Sequence, residues 1–451
     1  MLTAAQNLTR RIRGNLVVMR HMPGQRKVPY LPPERWMALR DARVRSIVRH
    51  AAGSVPYYRE LFRTLGIHPG DIRTAEDLDH IPLLDKETIW NDPDRFLSET
   101  RFGRHSLPLV TSGSASAPLR VRHDHQSVLA NIAYGERERA VLERLCAKPG
   151  RWKELMLLYS GSTFGKVLDF YQHHTLIPRR PERRFVSLSE PVEVVVEAIN
   201  DFQPDVITGY SGYLEMLFRT VAARSMKLYR PRLIIYGGEA MTSPGRDFIS
   251  ERFDVPLTSL YNAVESFKIG FACEYNQGYH LHADLCHLKL VDDQGRTVPD
   301  GERGEVVISN LVNRATVLLN YRLGDVAARS LDPCPCGRTL PMLKQLEGRL
   351  EDIITLPDGS FVHPLSIWGI FKNRPEVLRY QLIQHDARHF ELRLVTLDLQ
   401  TYESLLPAIL EALRALLGPD AIISPAFYEE LRHEGIGKFR AVVSARKSRG
   451  Q

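Results

Sequence analysis

The chain reads as an α/β protein with a large N-terminal domain, residues 1–347, and a small α+β C-terminal domain, residues 348–451. The large domain is expected to hold mostly parallel sheets and a β-rich subdomain. Three observations carry this. Short apolar runs alternate with helical stretches through the middle of the chain, as in a parallel sheet with crossover helices. From about residue 284, "HLKLVDDQGRTVPDGERGEVVIS" alternates apolar and polar residues around Asp-Gln-Gly and Asp-Gly turns, as antiparallel hairpins do. From "EGRLEDIITLPDGSFVHP" (347–364) onward the pattern is strand, helix, strand, strand, helix, strand, the layout of a small independent domain. The boundary falls near Gly348.

The elements follow in order. Pro33 to Ile89 is helical in pattern, broken at "GSVPYYRE" and "GIHPGD". "LVTSGSASAPL" (109–119) is a run of small hydroxyl residues and Gly. Alone it reads as a linker or surface turn, although its N–H and hydroxyl groups could also close over an anion. "DVITGY" (205–210) is a short strand followed by the helical "SGYLEMLFRTVAA". "PRLIIYGG" (231–238) is a second strand, then a helix with Ser243 at its cap and Pro244 at its first position. "LTSLYN" (257–262) is a third. Ligands of such a sheet bind at the carboxyl ends of its strands.

Composition sets bounds. The chain of 451 residues is 43% hydrophobic and 25% charged, ordinary for a soluble globular protein. No apolar run approaches the ~18 residues that span a bilayer. No secretory signal is evident, so a cytoplasmic location is expected. The net charge of +7 is uneven: residues 1–50 carry eleven Lys/Arg against Glu34 and Asp41, and the rest sums to −2. This basic segment reads first as a solvated helical face, with peripheral membrane contact as the alternative. No nucleic-acid module accompanies it, so no nucleic-acid partner is expected. Five cysteines, an odd count, argue against a disulfide framework.

The strand-end loops carry the chemistry. "YGGEAMT" presents Gly237, Gly238 and Glu239. "YNAVE" presents Tyr261, Asn262 and Glu265. "NYRLGDVA" carries Asp325, and "GRLED" carries Arg349, Glu351 and Asp352. "GIGKFR" sets Lys438 between glycines near the end of the chain. Each fragment alone is a common turn or cap; their order is specific. It resembles the adenylate-forming superfamily, and more narrowly the phenylacetate–CoA ligase and capsule-biosynthesis-type branch. "SVPYYRELFRTLGIHPGDIRTAEDLDHIPLLDKETI" and "FQPDVITGYSGYLEML" are similar to that branch as well. The likeness runs from about Val55 to Val443.

The resemblance implies ATP-dependent activation of a carboxylic acid to an acyl-adenylate, then acyl transfer to coenzyme A. Thr111, Ser112, Gly113 and Ser114 would hold the β- and γ-phosphates. Gly237, Gly238 and Glu239 would wall the adenine, with Tyr261 and Asn262 beside it. Glu265 would hold Mg2+. Asp325 would accept the ribose hydroxyls, and Arg349 would lie near the ribose and phosphates. Glu351–Asp352 would be the hinge of a mobile C-terminal domain whose Lys438 stabilises charge in the transition state. Tyr210, Tyr236 and Tyr261 would line the acid pocket, compatible with an aryl acid. Three positions depart from the family pattern: Ser116 stands where a phosphate-loop Gly is customary, Ala117 where a Lys is, and Val264 where a Thr is. Two other readings stay open: transfer to an amine or carrier protein, and a nucleotide-binding pseudo-enzyme. A homodimer is a further expectation.

Cys273, His280, Cys334 and Cys336 form a candidate metal set. A Cys-x-Cys turn with a Cys and a His from a hairpin completes a tetrahedral N/S site. The resemblance implies a structural zinc there, against the plainer reading of buried free thiols and surface histidines. Cys146 and Cys286 read as core cysteines, and His282 as a bystander.

Overall fold

A computed structural model describes residues 4–111, 119–149, 151–158, 162–176, 181–188, 190–238, 241, 243–349, 354–358, 361–362, 364–371, 374, 376–431 and 441–444. A hairpin of strands β1 (Ser106–Val110) and β2 (Arg120–Asp124) comes first, paired antiparallel so that Val110 faces Arg120. The main sheet holds β3 (Lys153–Leu158), β4 (Glu182–Ser187), β5 (Val206–Tyr210), β6 (Leu233–Gly237), β7 (Leu257–Tyr261), β8 (Gly270–Ala272), β9 (Tyr279–Leu281), β10 (Cys286–Val291), β11 (Arg303–Asn310), β12 (Tyr321–Arg329) and β13 (Met342–Arg349). Their order is β10-β11-β12-β13-β9-β8-β7-β6-β5-β3-β4.

The α/β class expected from sequence is what the molecule shows. Strands β3 to β7 are parallel to one another, and β7 onward pair antiparallel. The β-rich section is continuous with the parallel one through the β7–β8 pairing, so a single eleven-stranded sheet spans both. Helices Val192–Phe202, Ser211–Ala223 and Ser243–Phe253 carry the chain back between parallel strands. Their apolar faces, with Val195, Ile199, Leu214, Leu217 and Ile249, bury against Ile207, Ile234 and Leu257. A second core lies where the helices Pro33–Ser54 and Pro56–Leu65 cover the antiparallel strands, around Val44, Tyr58, Phe271, Ile308 and Leu319. Tyr58 knits these layers together, donating to Val317 O and accepting the N–H of Leu319 at 2.9 Å.

Beyond the large sheet lie β14 (Ile354–Thr355) and β15 (Phe361–Val362), then β16 (Val377–Gln384), β17 (His389–Thr396), β18 (Ile422–Phe427) and β19 (Val442–Val443). The last four form a sheet of order β18-β17-β16-β19. Helices Pro364–Phe371 and Leu399–Leu417 cover it through Ile367, Phe371, Ile409 and Leu413. Asp398 caps the longer helix by accepting the N–H of Thr401.

Among the described residues no helix is long and apolar enough to cross a membrane. The basic N-terminal helix, Ala4–His21, carries apolar as well as basic side chains on its exposed side. Its outward side includes Leu8, Ile12, Leu16 and Met19.

Candidate active site

The parallel registers set three strand ends side by side: Tyr210 faces Gly237, and Gly237 faces Leu260, the neighbour of Tyr261. Gly238 follows with φ +86°, a left-handed conformation that a side chain would strain. At Gly237 an added Cβ would just touch Leu260 O, at 3.4 Å.

Tyr261 closes β7, and its hydroxyl donates to Asp325 Oδ2 at 2.7 Å. These two residues lie 64 positions apart in the chain. Gly324, inside β12 at φ +82°, directly precedes Asp325. Asp325 stands opposite Arg349 in the β12–β13 register, and the register shifts between Val326 and Ala327. Such irregularities re-aim side chains next to binding sites.

The loop after β7 is built largely from its own backbone. Ala263 N–H donates to Ser266 O, and Ile269 N–H to Tyr261 O. Asn262, with its amide nitrogen turned inward, donates to Phe267 O at 2.5 Å and Tyr261 O at 3.1 Å. Its amide therefore closes the loop. Glu265 is buried; Tyr321 OH donates to its Oε1 at 3.4 Å, and Asn310 Nδ2 to its carbonyl at 2.9 Å. His123 of β2 reaches across to Val264 O at 2.6 Å and stacks on Phe267 at 4.0 Å. The bond to a carbonyl requires Nε2 to carry the proton. Burial holds the His123 imidazole down at about 4, so it is neutral near pH 7.

The same bond ties the β1–β2 hairpin to the Glu265 loop. Thr111 closes that hairpin's base: its N–H donates to Leu119 O at 3.0 Å, and its Oγ1 accepts the Leu119 N–H at 2.9 Å. Of the sequence-derived site, Thr111, Gly237, Gly238, Tyr261, Asn262, Glu265 and Asp325 fall within this network of hairpin, strand ends and β12, with the Arg349 backbone opposite Asp325. Ser112, Gly113, Ser114, Glu239, Glu351, Asp352 and Lys438 lie outside the described residues, as do Ser116, Ala117 and the Arg349 side chain. Tyr210 and Tyr236 pack in the core of the crossover helices, and Tyr261 packs in the other core beside Tyr279.

A buried ionic cluster braces the loop from behind. Lys268 Nζ lies 2.6 Å from Glu138 Oε2, and His282 Nε2 lies 2.9 Å from Glu138 Oε1. Burial opposes the Glu138 charge, but Lys268 and His282 outweigh it and hold the carboxyl at about 2. Next to this, Arg137 makes a bidentate pair with Asp284 at 2.6 and 2.9 Å, and Arg43 joins from the helix Pro33–Ser54. Sequence reading missed His123, Asn310, Tyr321 and this cluster apart from His282; Tyr321 alone carried a signal, three residues before Gly324 and four before Asp325.

The metal candidates come together. Cys273 follows β8, His280 lies in β9, and Cys334 and Cys336 sit on the turn between β12 and β13. Their ligand atoms all lie within 4.8 Å of one another. Cys273 Sγ is 3.5 Å from Cys334 Sγ, and Cys336 Sγ is 3.2 Å from His280 Nε2. Two glycines permit this. Gly337, at φ +75°, closes the Cys-x-Cys turn. A Cβ on Gly278 would sit 2.1 Å from Leu343 O, so only Gly lets β9 approach β13. Burial pushes the Cys273 thiol up to about 12, and raises Cys334. Against its own burial, Cys336 is drawn down by the Arg338 N–H. Burial and the Arg338 guanidinium hold His280 at about 4, neutral as a ligand must be. Three crowded sulfurs and one neutral imidazole fit a tetrahedral Zn2+. His282 stands apart, bound to Glu138, as a bystander should.

No family model matches the chain. It is 26% identical over 381 residues to a phenylacetate-coenzyme A ligase of Thermus thermophilus, covering 80% of each chain. It is 22% identical over 439 residues to a phenylacetate-coenzyme A ligase of Aromatoleum evansii, covering 91% of this chain and 94% of that one. Among solved structures, a 2-hydroxyisobutyryl-CoA ligase in the postadenylation state, in complex with 2-HIB-AMP, shares the fold with a TM-score of 0.73. The two are 18% identical, and the match covers 94% of this chain and 91% of that one.

Proposed function

We propose that this chain, a member of the adenylate-forming superfamily on its phenylacetate–CoA ligase-like branch, is an AMP-forming acid–CoA ligase. It activates a carboxylic acid with ATP, releasing pyrophosphate, and passes the acyl group to coenzyme A. The observation that carries this reading is the Tyr261–Asp325 hydrogen bond, 2.7 Å long, at the mouth of the parallel strands. It joins an aromatic wall to a carboxylate whose paired oxygens suit vicinal hydroxyls.

In this reading the substrate carboxylate attacks the α-phosphorus of ATP, and the bond to the β-phosphate oxygen breaks. Asp325 holds the ribose and so fixes the α-phosphate relative to the acid. Gly237 and Gly238 let the purine lie against backbone, with Glu239 following. Thr111, Ser112, Gly113 and Ser114 grip the outer phosphates. Arg349 lies by the ribose and phosphates. Glu265 supplies the hard oxygen that suits Mg2+, which when bound screens phosphate charge. Lys438, carried on a mobile domain of residues 348–451, meets the oxygens that gain charge in the transition state. Coenzyme A thiolate then attacks the acyl carbonyl, and AMP leaves. Cys273, His280, Cys334 and Cys336 hold a structural Zn2+ away from the reaction. The reaction is placed in the cytoplasm, with a homodimer as the working form.

Pyrophosphate release with a panel of aryl and short-chain acids, followed by product mass with and without coenzyme A, tests the proposal. An acyl-CoA product is expected. An amide or acylated carrier would reassign the acceptor, and no release with any acid would leave a nucleotide-binding scaffold. Lys438→Ala should slow pyrophosphate release by roughly 10²–10³ with ATP binding intact.

A further inference from the structure

The helix Ala4–His21 is seated firmly on its inner side. Gly14 is buried so closely that a Cβ there would sit 1.8 Å from His174 O. Val18 packs with Val128, Leu129 and Phe170. Arg11 donates to the carbonyls of Thr175 (3.2 Å) and Gln172 (2.9 Å), capping the end of the neighbouring helix, and Asn15 accepts the Leu176 N–H at 2.8 Å. The orientation of the outer side is therefore fixed by the body of the protein.

That outer side is not polar. Leu8, Ile12, Leu16 and Met19 are 51, 47, 60 and 66% exposed, and their spacing of four, four and three residues aligns them in one stripe. Isolated exposed apolar residues are ordinary, whereas a row of four large ones on one helix marks a docking surface. Arg13 and Arg20, both exposed, run along one edge of the stripe. The helix contains no Asp or Glu and carries Arg10, Arg11, Arg13 and Arg20. Pairing with a second copy of this helix would set cation against cation with no acid to relieve it. The charge favours an anionic surface.

We propose that this face seats the protein peripherally on an anionic lipid bilayer. Leu8, Ile12, Leu16 and Met19 enter the boundary between headgroups and acyl chains, and Arg13 and Arg20 meet lipid phosphates. An apolar stripe beside cations is the pattern of helices that lie in the membrane interface.

Co-sedimentation of the full chain with vesicles tests this, using phosphatidylglycerol and phosphatidylcholine in equal parts against phosphatidylcholine alone. Binding to the anionic vesicles only is expected, weakening as salt rises. Ile12→Asp/Leu16→Asp should lower the partition coefficient at least about tenfold, and Arg13→Ala/Arg20→Ala by a smaller factor. Both variants should keep the wild-type melting temperature and pyrophosphate release, since these side chains stand in solvent. Absence of binding to the anionic vesicles overturns the proposal, as does undiminished binding by Ile12→Asp/Leu16→Asp. Light scattering that shows a wild-type dimer made monomeric by that variant, with vesicle binding absent, would assign the stripe to a second copy instead.

Discussion

Asp325 takes a hydrogen bond from Tyr261, and a carboxylate can accept several such bonds at once. Tyr261 therefore aims it without using it up. Replacing Asp325 by Ala removes the proposed acceptor of two ribose hydroxyls, each charge-assisted bond being worth about 1.5–3 kcal/mol. ATP affinity by calorimetry should fall by at least about tenfold; an unchanged affinity would take Asp325 out of the site. His123 makes a pH prediction. Burial holds it at about 4, below the ordinary 6.5, so between those values the unfolded chain binds the extra proton. Stability from this residue is complete above pH 6.5 and is lost as pH falls through 4, roughly 3 kcal/mol in all. His123→Gln keeps an N–H for Val264 O, so melting temperature against pH should flatten across that window. A slope will persist from His125, also held at about 4 by burial, and His287 at about 3. An unaltered slope in the variant would show that His123 does not carry the effect. Tyr261, Glu265 and Asp325 are legible in sequence because the order of their fragments resembles the adenylate-forming superfamily; each fragment alone is a common turn or cap. His123 is not: one buried histidine has no spacing partner, and its carbonyl acceptor is 141 positions away.

The elements are legible where local pattern decides them. The strands at 206–210, 233–237 and 257–261 and the helices between them follow from apolar runs and turn residues. That the β-rich section joins the same sheet is not legible, because the β7–β8 pairing and the return of β13 to β9 are long-range choices. The Cys-x-Cys turn is the intermediate case. Its own spacing is local, but its partners arrive on β8 and β9 from over 50 residues earlier, and they meet because Gly278 lets β9 close on β13. A metal here would pin three strands together. Elemental analysis should find about one zinc per chain, absent in Cys334→Ser/Cys336→Ser. That variant should melt at least about 5 °C lower, since metal binding energy is folding energy. It should keep measurable pyrophosphate release at low temperature, because four protein ligands leave no coordination position for chemistry. A metal-free wild type of equal stability would refute the site.

At the scale of the whole molecule, the large sheet ends at Arg349, and Ile354 begins the next element. Residues 350–353, with Glu351 and Asp352 among them, are all the chain between. Arg349 stands opposite Asp325 in the sheet proposed to bind nucleotide, while Lys438 belongs to the segment beyond the link. In the proposed mechanism, adenylation needs Lys438 at the α-phosphate. Thioester formation needs that position cleared and a path for the coenzyme A thiol. One site must therefore accept two arrangements of the C-terminal segment, and the shortest route between them is rotation at the link. Hinges place such a change in a few residues at the ends of elements. Proline fixes φ near −65° and removes an N–H, so Glu351→Pro should trap a single arrangement. Pyrophosphate release should then survive within about threefold of wild type, while transfer from a supplied acyl-adenylate to coenzyme A falls by at least about tenfold. Measured separately, the two half-reactions must part company for residue 351 to be the pivot; equal losses, or none, place the pivot elsewhere.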